Sequence, residues 1–150
     1  MKNRQQQIQQ FFADYEQRFR EVLEGKPVDV DATAAAFADY FVQSVPGGVT
    51  GGKNDEKFKE QIPAGNDFYK SIGTQSMKIG SLHVTPLDEL HAIAKVHWLS
   101  TYKGDINIGF DVFYILTFAS GQPKIFAFIT GDEQKVLREK GLLPQEPAAS

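Results

Sequence analysis

The chain of 150 residues contains no cysteine, which excludes disulfides, thiolate nucleophiles and cysteine-ligated metal sites. Arginine is scarce as well. It occurs only at Arg4, Arg18, Arg20 and Arg138, so the stretch between Arg20 and Arg138 offers no guanidinium clamp for phosphate or carboxylate. No apolar run reaches the length of a membrane span, and the N-terminus lacks the apolar core of a signal peptide. We therefore expect a cytoplasmic protein that has no membrane association.

A basic surplus is also missing. The formal net charge is −3, which argues against nucleic acid as a partner because phosphates need compensating cations. The hydrophobic fraction of 41% and the twelve phenylalanines are typical of a globular protein with a large aromatic core. We expect a single domain over residues 1–142, followed by a flexible C-terminal tail at 143–150.

The most informative stretch is the apolar run from Ile106 to Phe118, which reads INIGFDVFYILTF. Nearly all of its residues are β-branched, aromatic or aliphatic, as in a strand that is covered on both faces. Asp111 lies in its middle, where an unpaired carboxylate would cost several kcal/mol. The pattern therefore predicts that Asp111 lies in a pocket.

Turn chemistry suggests which residues share the face of Asp111. Gly104-Asp105 suits a two-residue hairpin, which would place Trp98 of the preceding strand opposite Asp111. A second hairpin at Ser120-Gly121 would place Thr130 of the following strand opposite Asp111. One face would then carry Ala94, Val96, Trp98, Tyr102, Asp111, Phe113, Ile115, Phe126, Phe128 and Thr130. A slip of one residue would exchange the two faces.

The other face of the predicted sheet is largely apolar but contains Lys95 and His97. Helices can cover only one face of the sheet, so the second face should meet another subunit. We expect a homodimer formed through Phe110, Val112, Tyr114, Leu116, Ile125 and Ile129.

In the N-terminal part of the chain, apolar residues recur at the spacing of a helix. Apolar residues at intervals of three and four, among them Tyr15 and Phe19, predict a helix from about Arg4 to Glu24 that ends at Gly25. A second helix is expected from Asp29 or Asp31 to about Gln43, with a buried edge that includes Phe41.

Shorter elements fill the rest of the chain. Residues 44–52 contain four glycines and one proline and are predicted to form a loop, in which glycine allows close backbone approach or positive φ. A short helix should follow over 54–62 and end before Pro63, with another turn at 67–72. Strands are expected near 77–85 and 91–103, and a C-terminal helix capped by Asp132 should stop at Gly141.

Known chemical motifs are missing. His83, His91 and His97 lack the tight spacing of a metal site, so we expect neither a metal nor a cofactor. The glycine-rich segment at 44–52 has no Lys-Ser/Thr ending and does not match a phosphate loop, and no GxSxG nucleophile turn is present.

Several segments together resemble the NTF2-like superfamily, over residues from about 11 to 142. They are FFADYEQRF and FADYF in the helical part, and VHWLSTY, GFDVFYILTF and KIFAFITGDEQ in the strands. The superfamily includes nuclear transport factor 2, ketosteroid isomerase, scytalone dehydratase and the SnoaL-like polyketide cyclases. The resemblance implies an α+β cone in which N-terminal helices pack on a strongly curved, mainly antiparallel sheet.

The resemblance also implies roles for two residues. Ketosteroid isomerases place a tyrosine on the first helix and a protonated aspartate on a late strand, and Tyr15 and Asp111 match these positions. Their general base follows the second helix, where residues 43–52 here contain no carboxylate, so steroid isomerisation is not expected. Limonene epoxide hydrolases need a pocket arginine that the strands lack. A scytalone-type site would have only His83, and a SnoaL-like cyclase could use Asp111.

Three functions remain open at this stage. The favoured one is a binding protein that encloses a small apolar or aromatic molecule, with Asp111 and Tyr15 as polar contacts. The first alternative is a lyase, isomerase or cyclase with Asp111 as acid or base and Tyr15 as oxyanion donor. The second is a dimeric interaction domain without catalysis. The predicted ligand-binding residues are Phe19, Phe41, Val96, Trp98, Phe113, Phe126, Phe128 and Thr130.

Overall fold

The computed structural model describes residues 3–131 and 133–143, without the side chain of Gln134. The predicted cap Asp132 and nearly all of the predicted tail lie outside the described residues. The elements in chain order are α1 (Arg4–Leu23), α2 (Val30–Ala35), β1 (Phe37–Val45), β2 (Gly48–Lys53), α3 (Glu56–Ser71), β3 (Thr74–Pro86), β4 (His91–Tyr102), β5 (Ile106–Thr117), β6 (Lys124–Thr130) and α4 (Glu133–Glu139).

The six described strands form one curled, unclosed sheet in the order β2-β1-β6-β5-β4-β3. Neighbours are antiparallel except β1 and β6, which run parallel. Register shifts in β1, β3 and β6 mark irregular points, and such bulges increase the local bend of a sheet. The predicted α+β class with helices on a curved, mainly antiparallel sheet is confirmed.

Helix α1 covers the inner face of this sheet, and its predicted span is correct to within one residue. Asn3 caps it in a capping box with Gln6, and Gly25 follows it at φ 99°. Its residues Ile8 and Phe12 are fully buried in the main core. The helix therefore defines the inner side of the sheet, where a cavity can form.

The segment after α1 differs from the prediction. The second helix ends at Ala35, and Phe37–Val45 forms a strand instead of continuing the helix to Gln43. β1 pairs with β6 on one side and with β2 on the other, so its aromatic and β-branched residues are used in the sheet. These pairings are non-local, and helical periodicity within the segment could not reveal them.

Strand β2 takes most of the glycine-rich segment that was predicted as a loop. A Cβ atom at Gly51 would lie 2.3 Å from the carbonyl oxygen of Phe41, and Gly48 has a φ of 138°. The prediction that glycine serves close approach and positive φ is thus confirmed, although in a hairpin. Helix α3 is also longer than predicted, since it continues through Pro63 as one helix.

The turn between β4 and β5 decides the faces of the sheet. Tyr102 pairs with Ile106, so the loop has three residues, and two of them, Gly104 and Asp105, adopt positive φ values of 86° and 61°. The predicted two-residue hairpin was wrong by one position. As a result, His97 and not Trp98 lies opposite Asp111.

This shift moves alternate residues of β5 to the opposite face. Val112, Tyr114 and Leu116 are no more than 5% exposed and belong to the core, as does Ile125 of β6. The dimer surface predicted from these four residues and Phe110 is therefore wrong, because they lie on the inner face. Of the predicted set, only Ile129 remains on the outer face, at 46% exposure. None of the described helices is long and apolar enough to cross a membrane.

Candidate functional site

A cavity of about 210 Å³, here called the inner chamber, lies between α1, α3, the start of α4 and the inner face of the sheet. An apolar cavity of about 150 Å³ is large enough to bind benzene, so a molecule with one or two rings fits this space. Its lining is mostly aromatic and aliphatic. The lining residues are Tyr15, Phe19, Phe37, Gln43, Tyr69, Met77, Trp98, Phe110, Val112, Tyr114, Phe128, Thr130 and Glu133.

One polar group of the inner chamber is the pair Tyr69 and Glu133. The Tyr69 hydroxyl lies 3.0 Å from both carboxylate oxygens and donates to the carboxylate. Burial raises the pKa of Glu133, while the hydrogen bond from Tyr69 lowers it in part. Burial, together with the charge of Glu133, also raises the pKa of Tyr69, so its hydroxyl stays protonated. Glu133 is the only carboxylate among the described residues that line the chamber.

The second polar group consists of three aromatic side chains. The indole Nε1–H of Trp98 donates to the Tyr114 hydroxyl oxygen at 3.1 Å, and the ring centroids of Tyr114 and Tyr15 lie 6.1 Å apart. Because an indole N–H can only donate, the Tyr114 oxygen is the acceptor in its bond with Trp98. Burial raises the pKa of Tyr15 above its ordinary value. Tyr15 therefore keeps an O–H that can donate to an oxygen atom in the chamber.

A second cavity of about 320 Å³, here called the outer chamber, adjoins the first between α1, α2 and α3. The two chambers share the rings of Tyr15, Phe19, Phe37 and Tyr69 as a common wall. Phe19 and Tyr69 meet edge to face across α1 and α3 at a centroid distance of 5.4 Å. The other residues that line the outer chamber are Arg18, Val22, Val28, Thr33, Phe58, Gln61, Ile62, Gly65 and Asn66.

Asp111, the centre of the sequence prediction, lies on the outer face and not in either chamber. Its Oδ1 is 2.9 Å from Nδ1 of His97, and both side chains are exposed at 43% and 39%. The imidazole lies against Gly109, where a Cβ atom would come within 2.9 Å of Nε2. The predicted pairing of Asp111 with Tyr15 in one site is therefore wrong, because the sheet separates them.

The other predicted ligand-binding residues divide into three groups. Phe19, Trp98, Phe128 and Thr130 line the inner chamber with Tyr15, as predicted. Val96 is fully buried in the core and does not line the inner chamber. The ring of Phe41 packs against that of Phe58 at a centroid distance of 4.7 Å and lines a neighbouring groove. Phe113 and Phe126 lie on the outer face, because the register shift and a bulge in β6 turn them away from the chamber.

Sequence reasoning missed four polar side chains of the inner chamber, namely Gln43, Tyr69, Tyr114 and Glu133. Tyr114 was assigned to the opposite face by the wrong register, and Gln43 was assigned to a helix. A usable signal existed for Glu133. It follows directly after the strand that carries Phe128 and Thr130, where the chain leaves the sheet at the chamber.

The histidines do not assemble a metal site. His97 pairs with Asp111, and His91 lies 2.8 Å from Asp88 in the turn before β4. Over residues 3–131 and 133–143 no group of three metal-ligating side chains comes together.

Comparison with known proteins identifies the family. The profile described as "NTF2-like protein (DUF6841)" matches residues 5–133, and the chain belongs to this family. A search of curated protein sequences finds no match.

Solved structures of the same fold are similar at low sequence identity. An NTF2-like protein of unknown function from Shewanella oneidensis MR-1 has a TM-score of 0.61 at 15% identity, covering 85% of this chain and 98% of that one. A candidate scytalone dehydratase from Novosphingobium aromaticivorans has a TM-score of 0.59 at 16% identity, covering 84% and 81%. A candidate ketosteroid isomerase from Shewanella frigidimarina reaches 0.57 at 14% identity, covering 83% and 91%. The predicted NTF2-like resemblance is confirmed, and at these identities the likeness establishes the fold.

Proposed function

We propose that this protein binds a small apolar or aromatic molecule in the inner chamber, between the helices and the sheet. The observation that carries the proposal is an aromatic cavity of about 210 Å³ with two separate polar groups, the Tyr69–Glu133 pair and the Tyr15 hydroxyl. Binding pockets of small molecules combine an apolar lining with a few placed polar side chains in this way. Glu133 thus takes the polar role that the sequence suggested for Asp111.

The chemistry of the two polar groups favours a ligand that carries a carbonyl or hydroxyl oxygen. Tyr15 offers a proton to such an oxygen. Glu133, when protonated, is a second donor, and when ionised it accepts from a ligand hydroxyl. Because burial raises the pKa of Glu133, its protonated and ionised forms are closer in free energy at neutral pH than those of an exposed glutamate.

A second candidate function is an isomerase or dehydratase reaction at the same site. The observation that favours it is a partly buried carboxyl group with a raised pKa that lines the same cavity as a hydroxyl donor, which is an arrangement suited to general acid–base chemistry. Glu133 would take a proton from the carbon next to a ligand carbonyl, and Tyr15 would hydrogen-bond the oxygen on which charge develops. Two of the structurally similar proteins are named as candidates for a dehydratase and an isomerase.

The single tryptophan makes binding directly measurable. Trp98 lines the inner chamber, so the one indole N–H signal in a ¹H–¹⁵N NMR spectrum reports on its occupancy. We expect planar ketones and phenols of one or two rings to shift this signal in a saturable manner. Thr130→Phe, which fills the chamber, should abolish the response. The proposal is wrong if no such compound shifts the signal, or if the shifts are equal in the Thr130→Phe variant.

Turnover needs a separate measurement. Proton abstraction would exchange hydrogen next to the carbonyl of a bound ketone for deuterium from solvent, and Glu133→Gln should stop this exchange. Binding without exchange would leave the protein as a carrier or sensor of its ligand and would exclude the second candidate function.

We also propose that the outer face of the sheet joins two copies of the chain. Among the described residues, six of the eight exposed large hydrophobic side chains lie on this face, and the other two, Leu87 and Leu90, lie in the turn before β4. The outer-face residues are Tyr40, Val42, Val49, Leu99, Phe113 and Ile129. The same face also carries Lys95 and Asp111, so a second copy can offer charges of opposite sign as well as apolar area.

A further inference from the structure

We infer that the outer chamber is a subsite for an anionic group, so that the ligand is an aromatic or alicyclic carboxylate whose carboxylate is held by Arg18. The inference rests on the proposed function, because the inner chamber must hold the rest of the same molecule. Arg18 would then determine both the class of the ligand and its orientation.

Arg18 is the only charged side chain among the described residues that line the outer chamber. It is half-buried, and its guanidinium carbon lies 5.7 Å from the ring centroid of Tyr15. No carboxylate of the described chain lies within 4.0 Å of it. A guanidinium beside an apolar cavity and without an anionic partner is a ready binding group for a carboxylate.

The acidic side chain that shares a groove with Arg18 does not pair with it. Arg18 borders a groove that contains Asp14 and Lys124. Asp14, one turn before Arg18 on the same helix, accepts a hydrogen bond from the Gln10 side-chain amide at 2.9 Å. Asp14 forms no ion pair with Arg18 within 4.0 Å, so among the described residues the guanidinium has no anionic partner on this side either.

The remaining polar side chains of the outer chamber are neutral. Thr33, Gln61 and Asn66 line it together with the aromatic rings, and none of the described lining residues is acidic. Within the part of the chain that the structure describes, an anion entering this chamber meets one cation, several neutral hydrogen-bond donors and no like charge. Aromatic walls at Phe19, Phe58 and Tyr69 would enclose the body of the ligand next to its charge.

The two chambers together determine an orientation. Among the described residues that line the inner chamber, the only charged group is the acidic Glu133, which would repel a carboxylate when ionised. The carboxylate of a ligand therefore belongs at Arg18, and a neutral carbonyl or hydroxyl belongs at the inner end with Tyr15 and Glu133. The shared wall of Tyr15, Phe19, Phe37 and Tyr69 must move or part for one molecule to span both chambers.

The test compares 6-hydroxy-2-naphthoic acid with its neutral carboxamide, which has nearly the same shape. Binding of each is measured at pH 7 through the Trp98 indole signal, in the wild type and in two variants. Arg18→Gln removes the proposed anion contact. Arg20→Gln removes an exposed arginine of the same helix and is the matched control. We expect the acid to bind at least tenfold more tightly than the amide in the wild type and in Arg20→Gln, since a charge-assisted contact is stronger than a neutral one.

In Arg18→Gln the preference for the acid should disappear, with little change for the amide. Equal affinity of acid and amide in the wild type would overturn the anion subsite while leaving the binding function of the inner chamber intact. A preference that persists in Arg18→Gln would overturn it as well. If neither compound shifts the indole signal, the proposed binding function fails for this pair and the subsite fails with it.

Discussion

The hydroxyl of Tyr69 donates to the carboxylate of Glu133 at 3.0 Å and thereby connects the end of α3 with the start of α4 at the wall of the inner chamber. The two residues are 64 positions apart in sequence. Their contact places a partly desolvated acid beside an aromatic cavity. It also makes the acid sensitive to anything that enters, because a ligand oxygen competes for the same hydroxyl.

This geometry predicts a pH-dependent effect of Glu133→Gln on stability. An unfolded glutamate has a pKa of about 4.3, and burial raises the folded value above it. Well below the unfolded pKa, near pH 3, both states hold the proton and the variant should equal the wild type. As the pH rises through the interval between the two pKa values, the wild type loses stability relative to the variant, by about 1.4 kcal/mol for each unit between them.

Urea unfolding followed by Trp98 fluorescence from pH 3 to pH 8 measures this difference. Glu139→Gln, an exposed substitution on the same helix, is the control and should show no such trend. A Glu133→Gln variant that is less stable than the wild type by a constant margin at every pH would contradict the desolvation argument.

Asp111→Asn should leave ligand binding unchanged. Asp111 lies on the outer face, paired with His97, and the sheet separates it from the inner chamber. An exposed pair of this kind contributes about 0–1 kcal/mol, so we expect the free energy of unfolding to change by no more than this amount. Ligand titration of the variant, followed by the Trp98 indole signal, checks the claim. A large loss of affinity would restore Asp111 as a site residue.

Phe113→Glu should weaken the proposed dimer without unfolding the chain. Phe113 is 38% exposed on the outer face, where a carboxylate can remain hydrated in the monomer but not in an apolar interface. Light scattering after size-exclusion chromatography should give about twice the chain mass of 16.7 kDa for the wild type and the single mass for the variant.

Leu87→Glu is the control for the dimer prediction. Leu87 is an exposed apolar residue, at 54%, in the turn after β3, away from the outer-face cluster. It should leave the mass unchanged. A wild type that is monomeric at micromolar concentration would show that this face has another purpose.

Substitutions at two adjacent glycines of β2 test whether close backbone packing requires glycine in this hairpin. A Cβ atom at Gly51 would lie 2.3 Å from the Phe41 carbonyl oxygen and 2.7 Å from the Val42 Cα, which are backbone atoms that cannot move aside cheaply. Gly51→Ala should therefore destabilise the protein by about 1–3 kcal/mol, the scale of overpacking. Gly52→Ala meets nothing within 4 Å and should change stability by less than about 0.5 kcal/mol. Thermal unfolding of the two variants measures this difference in stability. Equal destabilisation by Gly51→Ala and Gly52→Ala would contradict the steric explanation.

The residue pattern within a single segment was sufficient to predict its secondary structure where that segment had a clear periodicity and clear turn residues. The apolar spacing of α1 predicted that helix, the turn residues at its end predicted its stop, and the β-branched and aromatic runs of β4 and β5 predicted those strands. Together with the resemblance to a family, these segments were enough for the fold class. The patterns and the resemblance together proposed Tyr15, Phe19, Trp98, Phe128 and Thr130 as site residues, and these five line the inner chamber.

The other features, namely the strand β1, the faces of β5 and the environment of Glu133, depend on contacts between segments that are distant in sequence. The strand character of residues 37–45 depends on the parallel partner β6, and the faces of β5 depend on two positive φ values in a three-residue turn. Because side chains alternate along a strand, that one added turn residue moved Asp111 out of the site and Tyr114 into it. Glu133 is partly desolvated at the inner chamber and bonded to Tyr69, which comes from a helix far away in sequence, and such desolvation exists only once the chain is folded.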